Sequence, residues 1–414
     1  MPPPLRGVDG GFTRESIIAR LPAILDETAS CLLPSLARAA AGFDASAAPA
    51  LAAAIAALSS VLRAGAPLPP FAALSDEEAA AGGSGGTAEA AAAWACAGGT
   101  CLEAPWFHVE LAVYRLLSEA CAAATPALRV PLGWDVFAEQ KARALAAAAA
   151  PFDATVAPLL RGAGGGAPDR GEVRALLLRS LWGNRADLSL SAGVVAAPGS
   201  GGGAAPAELL ADDSAAVLDV LCGAPAALAL VADNAGLELA SDLALVDALL
   251  ARGHSVTVHA KALPVFVSDA TPADVREHVA WLAARAPAAG ARLRAALDAG
   301  ALTVAAHAAW SAPAPFWALP GDLRAALARA ALALVKGDAN YRRLLGDRHW
   351  PHADAFARVV GAYAPCAIAA LRTAKAPLAV GLDAAAAARA AAAQPADWLT
   401  AGSRGMVQLA PRAL

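Results

Sequence analysis

The sequence predicts an α/β fold: a three-layer α/β/α sandwich of Rossmann-like type with a mostly parallel sheet, preceded by a mostly helical N-terminal domain. From residue 225 onward, short β-rich apolar runs alternate with helical segments, which is typical of parallel strands covered by helices. Before that point, apolar residues recur mainly at helical spacing. Because 414 residues are many for a single core, we expect two domains, 1–170 and 171–414.

The first part of the chain is predicted to be helical. Over 12–62, Ile17, Leu21 and Leu25 continue one apolar stripe at helical spacing. Further helices are predicted at 103–122, 134–150, 172–182 and 209–221. Segments rich in Gly, Pro, Ser and Ala separate them and are predicted to be loops, at 64–90, 162–171 and 197–208.

The second part alternates between strands and helices. The predicted strands are 227–232, 255–260, 264–268, 302–306, 331–336, 366–371, 377–381 and 405–409. The predicted helices are 236–252, 272–298, 321–329 and 384–393.

Net charge, apolar stretches and cysteine spacing argue against a nucleic-acid-binding, membrane-spanning or disulfide-bonded protein. A formal net charge of −4 gives no general attraction to nucleic acid. No stretch reaches the roughly 20 strongly apolar residues of a membrane span, and the segment MPPPLRGVDGGF has no basic-then-apolar signal pattern. The six cysteines form no Cys-x-x-Cys pair, which favours free thiols in a reducing compartment. We therefore expect a soluble cytoplasmic protein; the sequence leaves its oligomeric state open.

Four short polar segments follow predicted strands, at the edge where the carboxyl ends of neighbouring strands of an open sheet gather around a ligand. They are Asp233-Asn234, Asp269, 337–342 and 372–375. The first two supply hard oxygen ligands, which suit a divalent cation. The last two supply fixed cations and amide donors, which suit a phosphate. A metal and a phosphate at one sheet edge predict phosphoryl chemistry.

The first two polar segments also have a simpler interpretation. Asp and Asn are favoured residues for capping a helix, and Thr271 with Pro272 is a strong helix start that leaves Asp269 as a spare carboxylate. In the sharper interpretation, Asp233, Asn234 and Asp269 are three ligands for Mg²⁺ or Mn²⁺. Glu238 follows one helical turn later and is predicted to hold a substrate hydroxyl or a water beside the metal.

The other two segments would ordinarily be a turn and an exposed cationic tip. The density of functional groups in 337–342 favours a binding loop instead. Asp338 and Asn340 are predicted to hydrogen-bond sugar hydroxyls, and Arg342 to clamp an anion. Lys375 is predicted to neutralise charge that develops on the phosphoryl oxygens.

Taken in order, these segments resemble the metal-dependent damage-control phosphatase family, once called domain of unknown function 89. The closest pattern is that of the acidic residue methyltransferase 1 subfamily, marked by Arg-Thr-x-Lys, here Arg372 to Lys375. The resemblance covers roughly 172–410. It rests on LWGNRADLSLS at 181–191, VADNAGLELASDL at 231–243, HAKALPVFVSDAT at 259–271, KGDANYRRLLGDRHW at 336–350 and LRTAKAPLAVGL at 371–382, with the tail GMVQLA.

The resemblance implies a site and an activity. It implies that Asp233, Asn234 and Asp269 hold Mn²⁺ or a similar cation (Co²⁺, Ni²⁺ or Mg²⁺). It implies substrate contacts from Asp233, Asn234, Glu238, Asp338, Ala339, Asn340, Tyr341, Arg342, Arg372 and Lys375. It implies hydrolysis of sugar phosphates and related phosphometabolites, such as fructose 1-phosphate and fructose 6-phosphate, in metabolite damage control. The sequence departs mildly from the family pattern, with Ala339 where relatives often carry Leu and Arg185-Ala186 where Lys-Cys is more usual.

The predicted reaction is therefore metal-dependent hydrolysis of a small phosphorylated metabolite, with Asp233, Asp269 and Lys375 as the catalytic residues. Either aspartate is a candidate for orienting or deprotonating the attacking water. Two alternatives stay open. One is an S-adenosylmethionine-dependent carboxyl methyltransferase acting on protein glutamate, although the chain lacks a Gly-rich loop after a first strand. The other is a non-catalytic sugar-phosphate sensor that uses the same pocket.

Overall fold

The computed structural model describes residues 1–39, 48–71, 99–124, 135–160, 162, 165–183 and 208–412. It contains one seven-stranded sheet with helices on both faces. The strands are β1 (Glu208–Asp212), β2 (Ala227–Val231), β3 (Ser255–Lys261), β4 (Leu302–His307), β5 (Leu332–Lys336), β6 (Ala367–Thr373) and β7 (Arg404–Ala410).

Helices precede the sheet and alternate with its strands. Before β1 the chain forms α1 (Gly11–Glu15), α2 (Leu21–Ala39), α3 (Ala48–Arg63), α4 (Trp106–Ala124), α5 (Ala138–Ala147), α6 (Ala149–Thr155) and α7 (Arg170–Trp182). A π-helical turn, Ser16–Arg20, joins α1 to α2. Between the strands lie α8 (Ser214–Leu221), α9 (Leu237–Ala251), α10 (Pro272–Arg285), α11 (Pro287–Asp298), α12 (Gly321–Ala328), α13 (Gly337–Leu345), α14 (Phe356–Gly361) and α15 (Ala384–Ala393).

The strands lie in the order β1-β7-β6-β5-β2-β3-β4. Strand β7 runs antiparallel to β6, and the other neighbouring pairs are parallel. The predicted α/β class is therefore confirmed. After β2 the chain moves outward through β3 and β4, then returns so that β5 pairs with the other side of β2. The gap beyond the carboxyl ends of β2 and β5 is thus a topological switch point, where open α/β sheets bind ligands.

Alternate residues of the central strands face two different cores. Ala229 and Val231 of β2 belong to a core that also contains Ile17, Leu21 and Val109 from the N-terminal helices. Leu228 and Leu230 face the opposite core, made with α7, α9 and α10. Because parallel strands are covered on both faces, their residues are apolar almost throughout. Helices α2 to α4 therefore share a continuous core with one face of the sheet, and the division at residue 170 stays a prediction.

Several sequence-based boundaries were wrong. The predicted helix 209–221 divides into β1 and α8, and the predicted helix 272–298 divides before Pro287, because proline cannot continue a helix from within. The predicted strand 377–381 is irregular. The segment 337–342, predicted to be a loop, is the start of α13.

The predicted strand 264–268 is also irregular, because two of its residues do not have extended backbone conformations. Phe266 and Val267 have φ angles of 51° and 65°, in the left-handed region. A β-branched residue rarely adopts this conformation, which costs on the order of 1–3 kcal/mol. The segment is held in this shape next to the cavity described below. Among the described residues, no helix is both long and apolar enough to cross a membrane.

The pH dependence of stability is predicted to include a contribution from His259 of β3. Burial, with smaller contributions from His307 and Arg329, lowers the pKa of His259 from 6.5 to about 4. Because the unfolded chain then binds the proton more tightly, folding stability is lost as the pH falls from 6.5 towards 4. We expect the wild type to lose about 2 kcal/mol more than His259→Gln between pH 7.5 and pH 5, measured by urea unfolding. Equal losses in both proteins would contradict this prediction.

Candidate active site

A cleft open to solvent lies at the switch point beyond β2 and β5. It brings together residues from three of the predicted polar segments, one residue of the fourth, and several from the N-terminal helices. The lining residues are Arg20, Trp106, Glu110, Asp233, Asn234, Phe266, Asp269, Asp338, Ala339, Arg342 and Lys375.

Backbone pairing holds the three predicted metal ligands close together. Asn234 and Asp269 form an isolated antiparallel bridge. The Ala235 N–H donates to the Ser268 carbonyl at 2.7 Å, and the Ala270 N–H donates to the Asp233 carbonyl at 2.7 Å. The loop after β2 and the loop before α10 are therefore fixed to each other, so that Asp233, Asn234 and Asp269 reach the same cavity.

The side chain of Asn234 has a defined orientation. Its amide nitrogen donates to Asp233 Oδ2 at 2.9 Å and to Glu238 Oε2 at 3.0 Å, while its Oδ1 accepts from Ser268 Oγ at 2.5 Å. Glu238 lies below the cavity rather than in its lining, and contacts the site through Asn234. The carboxylate of Glu238 thus orients one of the predicted ligands.

The chemistry of this donor set fits a divalent cation. Two carboxylates and one amide carbonyl are hard oxygen donors of the kind that Mg²⁺ and Mn²⁺ prefer. In the part of the chain that the structure describes, no group of three or more His, Cys, Asp or Glu side chains is placed to hold a metal. A cation at this site would be held by the mixed set of Asp233, Asn234 and Asp269.

Gly337 makes room for this arrangement. Its φ angle is +80°, and a Cβ atom at this position would lie 1.8 Å from Asp233 Oδ2. Only glycine combines this backbone conformation with so close an approach. The first residue of α13 is therefore packed directly against a candidate ligand.

Lys261 and Lys141 hold Asp269 from two sides. Lys261 Nζ lies 3.0 Å from Asp269 Oδ2 and donates to Asn340 Oδ1 at 3.0 Å. Lys141 of α5 donates to the Asp269 carbonyl at 2.6 Å and to Asp274 Oδ2 at 2.8 Å. Burial would lower the pKa of Lys141, but Asp135 and Asp274 raise it overall, so the ammonium stays charged.

Asp338 connects the two predicted phosphate-binding segments. Its Oδ1 accepts from Arg372 Nε at 2.7 Å and from the Lys375 backbone N–H at 2.9 Å. Arg372 is fully buried and also donates to the carbonyls of Ala376 and Leu378. Arg372 therefore shapes the loop that presents Lys375, and it is Lys375 that lines the cavity.

Tyr341 and Asn340 fix the position of α13 and do not line the cavity. Tyr341 is fully buried and donates to Gln408 Oε1 at 2.8 Å. Asn340 donates to the Ala232 carbonyl at 3.0 Å and so ties α13 to the end of β2. Neither side chain lines the cavity, whereas Asp338, Ala339 and Arg342 do.

A buried charged network lies beneath the site. Lys336 Nζ donates to Glu238 Oε1 at 2.9 Å and lies 3.3 Å from Asp242 Oδ1, which accepts from Ser180 Oγ at 2.5 Å. Burial, only partly offset by Lys336, raises the pKa of Asp242 to about 7. Burial would lower the pKa of Lys336, but Asp242 and Glu238 raise it overall.

Sequence reasoning missed the contribution of the N-terminal helices, namely Arg20, Trp106 and Glu110, as well as that of Phe266. One signal was available for Glu110, a carboxylate within the apolar face of α4 that includes Val109 and Val113. A second signal was the scarcity of lysine. The chain contains four lysines, Lys141, Lys261, Lys336 and Lys375, and each is buried in or beside this site.

The motif at 181–191 lies only partly within the residues that the structure describes, because it continues beyond Gly183. Within the described part, Gly183 packs against α9: a Cβ on Gly183 would lie 2.7 Å from the Glu238 Cα. The start of the motif thus lies next to the buried network.

Comparison with known proteins agrees with the resemblance. A family model described as the damage-control phosphatase ARMT1-like domain matches residues 19–390. Damage-control phosphatase ARMT1 of Mus musculus is 32% identical over 332 residues, covering 73% of this chain and 74% of the mouse protein. The protein of the same name from Rattus norvegicus is 33% identical over 328 residues, with the same coverage of each chain.

One solved structure is similar over most of its length. It is a protein of the domain of unknown function 89 family from Pyrococcus horikoshii, 14% identical, with a TM-score of 0.40 over 86% of this chain and 95% of that one. The family model alone covers most of the chain, including the N-terminal helices from residue 19. The chain therefore belongs to the ARMT1-like family of damage-control phosphatases.

Proposed function

We propose that the protein hydrolyses small sugar phosphates, of the fructose 1-phosphate and fructose 6-phosphate type, with the help of a divalent cation. The observation that carries the proposal is the meeting of Asp233, Asn234 and Asp269 with Lys375 in one cavity at the switch point of the sheet. Membership of a phosphatase family supports it.

Asp233, Asn234 and Asp269 would hold the cation, with Mn²⁺ proposed first and Co²⁺, Ni²⁺ or Mg²⁺ as substitutes. When bound, such a cation polarises a phosphoryl oxygen and lowers the pKa of water. Lys375 lies on the same cavity and would neutralise charge on the transferring phosphoryl group. Asp338 accepts from the backbone N–H of Lys375 and so fixes the loop that carries this side chain.

The proposed reaction breaks the ester bond between phosphorus and the sugar oxygen. The oxygen of a water molecule forms the new bond to phosphorus, and its proton passes to Asp233 or Asp269. The sugar oxygen takes up a proton from solvent water as it leaves, and the aspartate returns its proton to solvent, so that free sugar and inorganic phosphate are the products. Lys261 and Lys141 hold Asp269 in place. Glu238 acts on Asp233 through Asn234, whose amide nitrogen donates to both carboxylates.

Phosphate release tests the proposal. Protein stripped with a chelator should release little phosphate from fructose 1-phosphate or fructose 6-phosphate, and added Mn²⁺ should restore turnover. Calorimetric titration with S-adenosylmethionine should show no binding. Turnover that no divalent cation stimulates would contradict the proposal. Tight binding of fructose 1-phosphate without turnover would favour a sensor, and S-adenosylmethionine binding would favour a methyltransferase.

A further inference from the structure

One wall of the cavity comes from the N-terminal helices. Arg20 lies on the π-helical turn between α1 and α2, and Trp106 and Glu110 lie on the first turns of α4. Such π-helical turns are rare and often mark functional sites. The roles proposed for the candidate metal ligands and for Lys375 leave the function of these three residues unassigned.

Arg20 is held firmly along one edge of its guanidinium. Its Nε and Nη2 donate to Ser16 Oγ at 3.2 and 2.8 Å, and Nη2 also donates to Glu110 Oε1. Within the described part of the chain, Nη1 has no hydrogen-bond partner. The side chain is 20% exposed. Arg20 therefore presents a pre-oriented donor to the cavity.

The charges around Arg20 are balanced. Glu110 is shared between Arg20 and Arg342, because its Oε2 accepts from Arg342 Nη1 at 2.5 Å. The other edge of Arg342 pairs with both oxygens of Asp347, at 2.8 and 3.0 Å, and its guanidinium lies 3.6 Å from the Trp106 ring centre. Two cations thus face two carboxylates. The remaining donor of Arg20 suits a neutral oxygen better than a second full anion.

Arg20 and the predicted metal ligands come from different parts of the chain. Arg20 pairs with Glu110 of α4, whereas Asp233 follows β2 and Asp269 precedes α10. All three side chains nevertheless line the same cleft. A substrate whose phosphate lies near Asp233 and Lys375 would extend its other end towards Arg20.

We infer that Arg20 contacts the substrate, donating from Nη1 to a hydroxyl or keto oxygen of the sugar. Ser16 and Glu110 position it, and Glu110 does so while holding Arg342. The inference rests on the proposed sugar-phosphate activity and assigns recognition of the sugar to the N-terminal helices. These helices then form part of the active site rather than an accessory layer.

The test compares a sugar phosphate with an aryl phosphate that lacks sugar oxygens. In Arg20→Gln, the ratio of kcat/KM for fructose 1-phosphate to kcat/KM for p-nitrophenyl phosphate should fall about ten- to a hundredfold, as expected for loss of a hydrogen bond from a charged donor. Arg63→Gln is the matched control. Arg63 belongs to the same helical layer but pairs with Asp26 at the surface, so the ratio should stay at the wild-type value.

If Arg20→Gln fails to fold, Arg20→Lys replaces it as the test variant. It keeps the charge that faces Glu110, yet one ammonium cannot reproduce the fork that reaches Ser16, Glu110 and a substrate oxygen. The ratio should therefore fall in this variant too. An unchanged ratio, or an equal loss on both substrates, would overturn the inference.

A binding measurement distinguishes failure of this inference from failure of the proposed reaction. Fructose 1-phosphate is titrated into wild type and Arg20→Gln in the presence of Mn²⁺, followed by calorimetry. If wild type binds without hydrolysing, the proposed function fails, while a tenfold or greater loss of affinity in Arg20→Gln still supports the role of Arg20. Equal affinities, or no binding by the wild type, would overturn that role.

Discussion

Asp233→Asn is expected to lower kcat for sugar-phosphate hydrolysis by at least about 10³-fold, because it removes one of the two carboxylates from the proposed metal site. The substitution is nearly isosteric, so the pairing of the Asp233 carbonyl with the Ala270 N–H can persist. The apparent affinity for Mn²⁺ should fall as well. Both quantities are measured by phosphate release over a range of Mn²⁺ concentrations.

Asp153→Asn is the matched control for this experiment. Asp153 forms an ion pair with Arg285 and its side chain is half exposed, away from the cleft. This variant should hydrolyse the substrate at the wild-type rate. If Asp233→Asn kept more than a tenth of the wild-type kcat, Asp233 would not be a metal ligand.

Gly337→Ala should both destabilise the protein and inactivate it. The new methyl group would meet Asp233 Oδ2 at 1.8 Å, in a backbone conformation that alanine rarely adopts. Left-handed strain costs roughly 1–2 kcal/mol and overpacking about 1–3 kcal/mol, so we expect a loss of about 2–5 kcal/mol in the free energy of unfolding. Because the collision pushes on Asp233, activity should fall even at temperatures where the variant is folded.

Substitutions at two other glycines distinguish the effect of backbone strain from the effect of the collision with Asp233. Gly300 has a φ angle of +73° with open space around its missing Cβ, so Gly300→Ala measures strain without a collision. Gly321 has open space and no left-handed φ, so Gly321→Ala should be nearly neutral. Both controls should keep wild-type activity. A Gly337→Ala variant as active and as stable as Gly300→Ala would show that the α13 start does not constrain Asp233.

The fold was predictable where the chain follows one periodicity for long enough. The run ALALVK around β5 is apolar almost throughout, which is the pattern of a parallel strand covered on both faces, and it was correctly predicted to be a strand. The segment 264–268 has an equally apolar sequence, but Phe266 and Val267 adopt left-handed conformations that no local pattern encodes. Tertiary packing against the cleft decides their shape.

The candidate site was predictable in part for the same reason. Asp233, Asn234 and Asp269 follow strands, so the sheet topology brings them together. Arg20 is more than 200 residues away from them in sequence and reaches the cleft only through helix packing, which spacing alone does not reveal. Sequence also does not separate a lining residue such as Lys375 from a buried support such as Arg372, since both occupy the same short motif.

A single divalent cation, held by Asp233, Asn234 and Asp269, is expected to mark the place where the phosphate ester is hydrolysed. Anomalous diffraction at the manganese edge from crystals grown with Mn²⁺ and inorganic phosphate tests it most directly. We predict one strong peak bonded to oxygens of these three side chains, with a phosphate oxygen beside it and Lys375 nearby. A manganese peak elsewhere, with none in this cleft, would contradict the account.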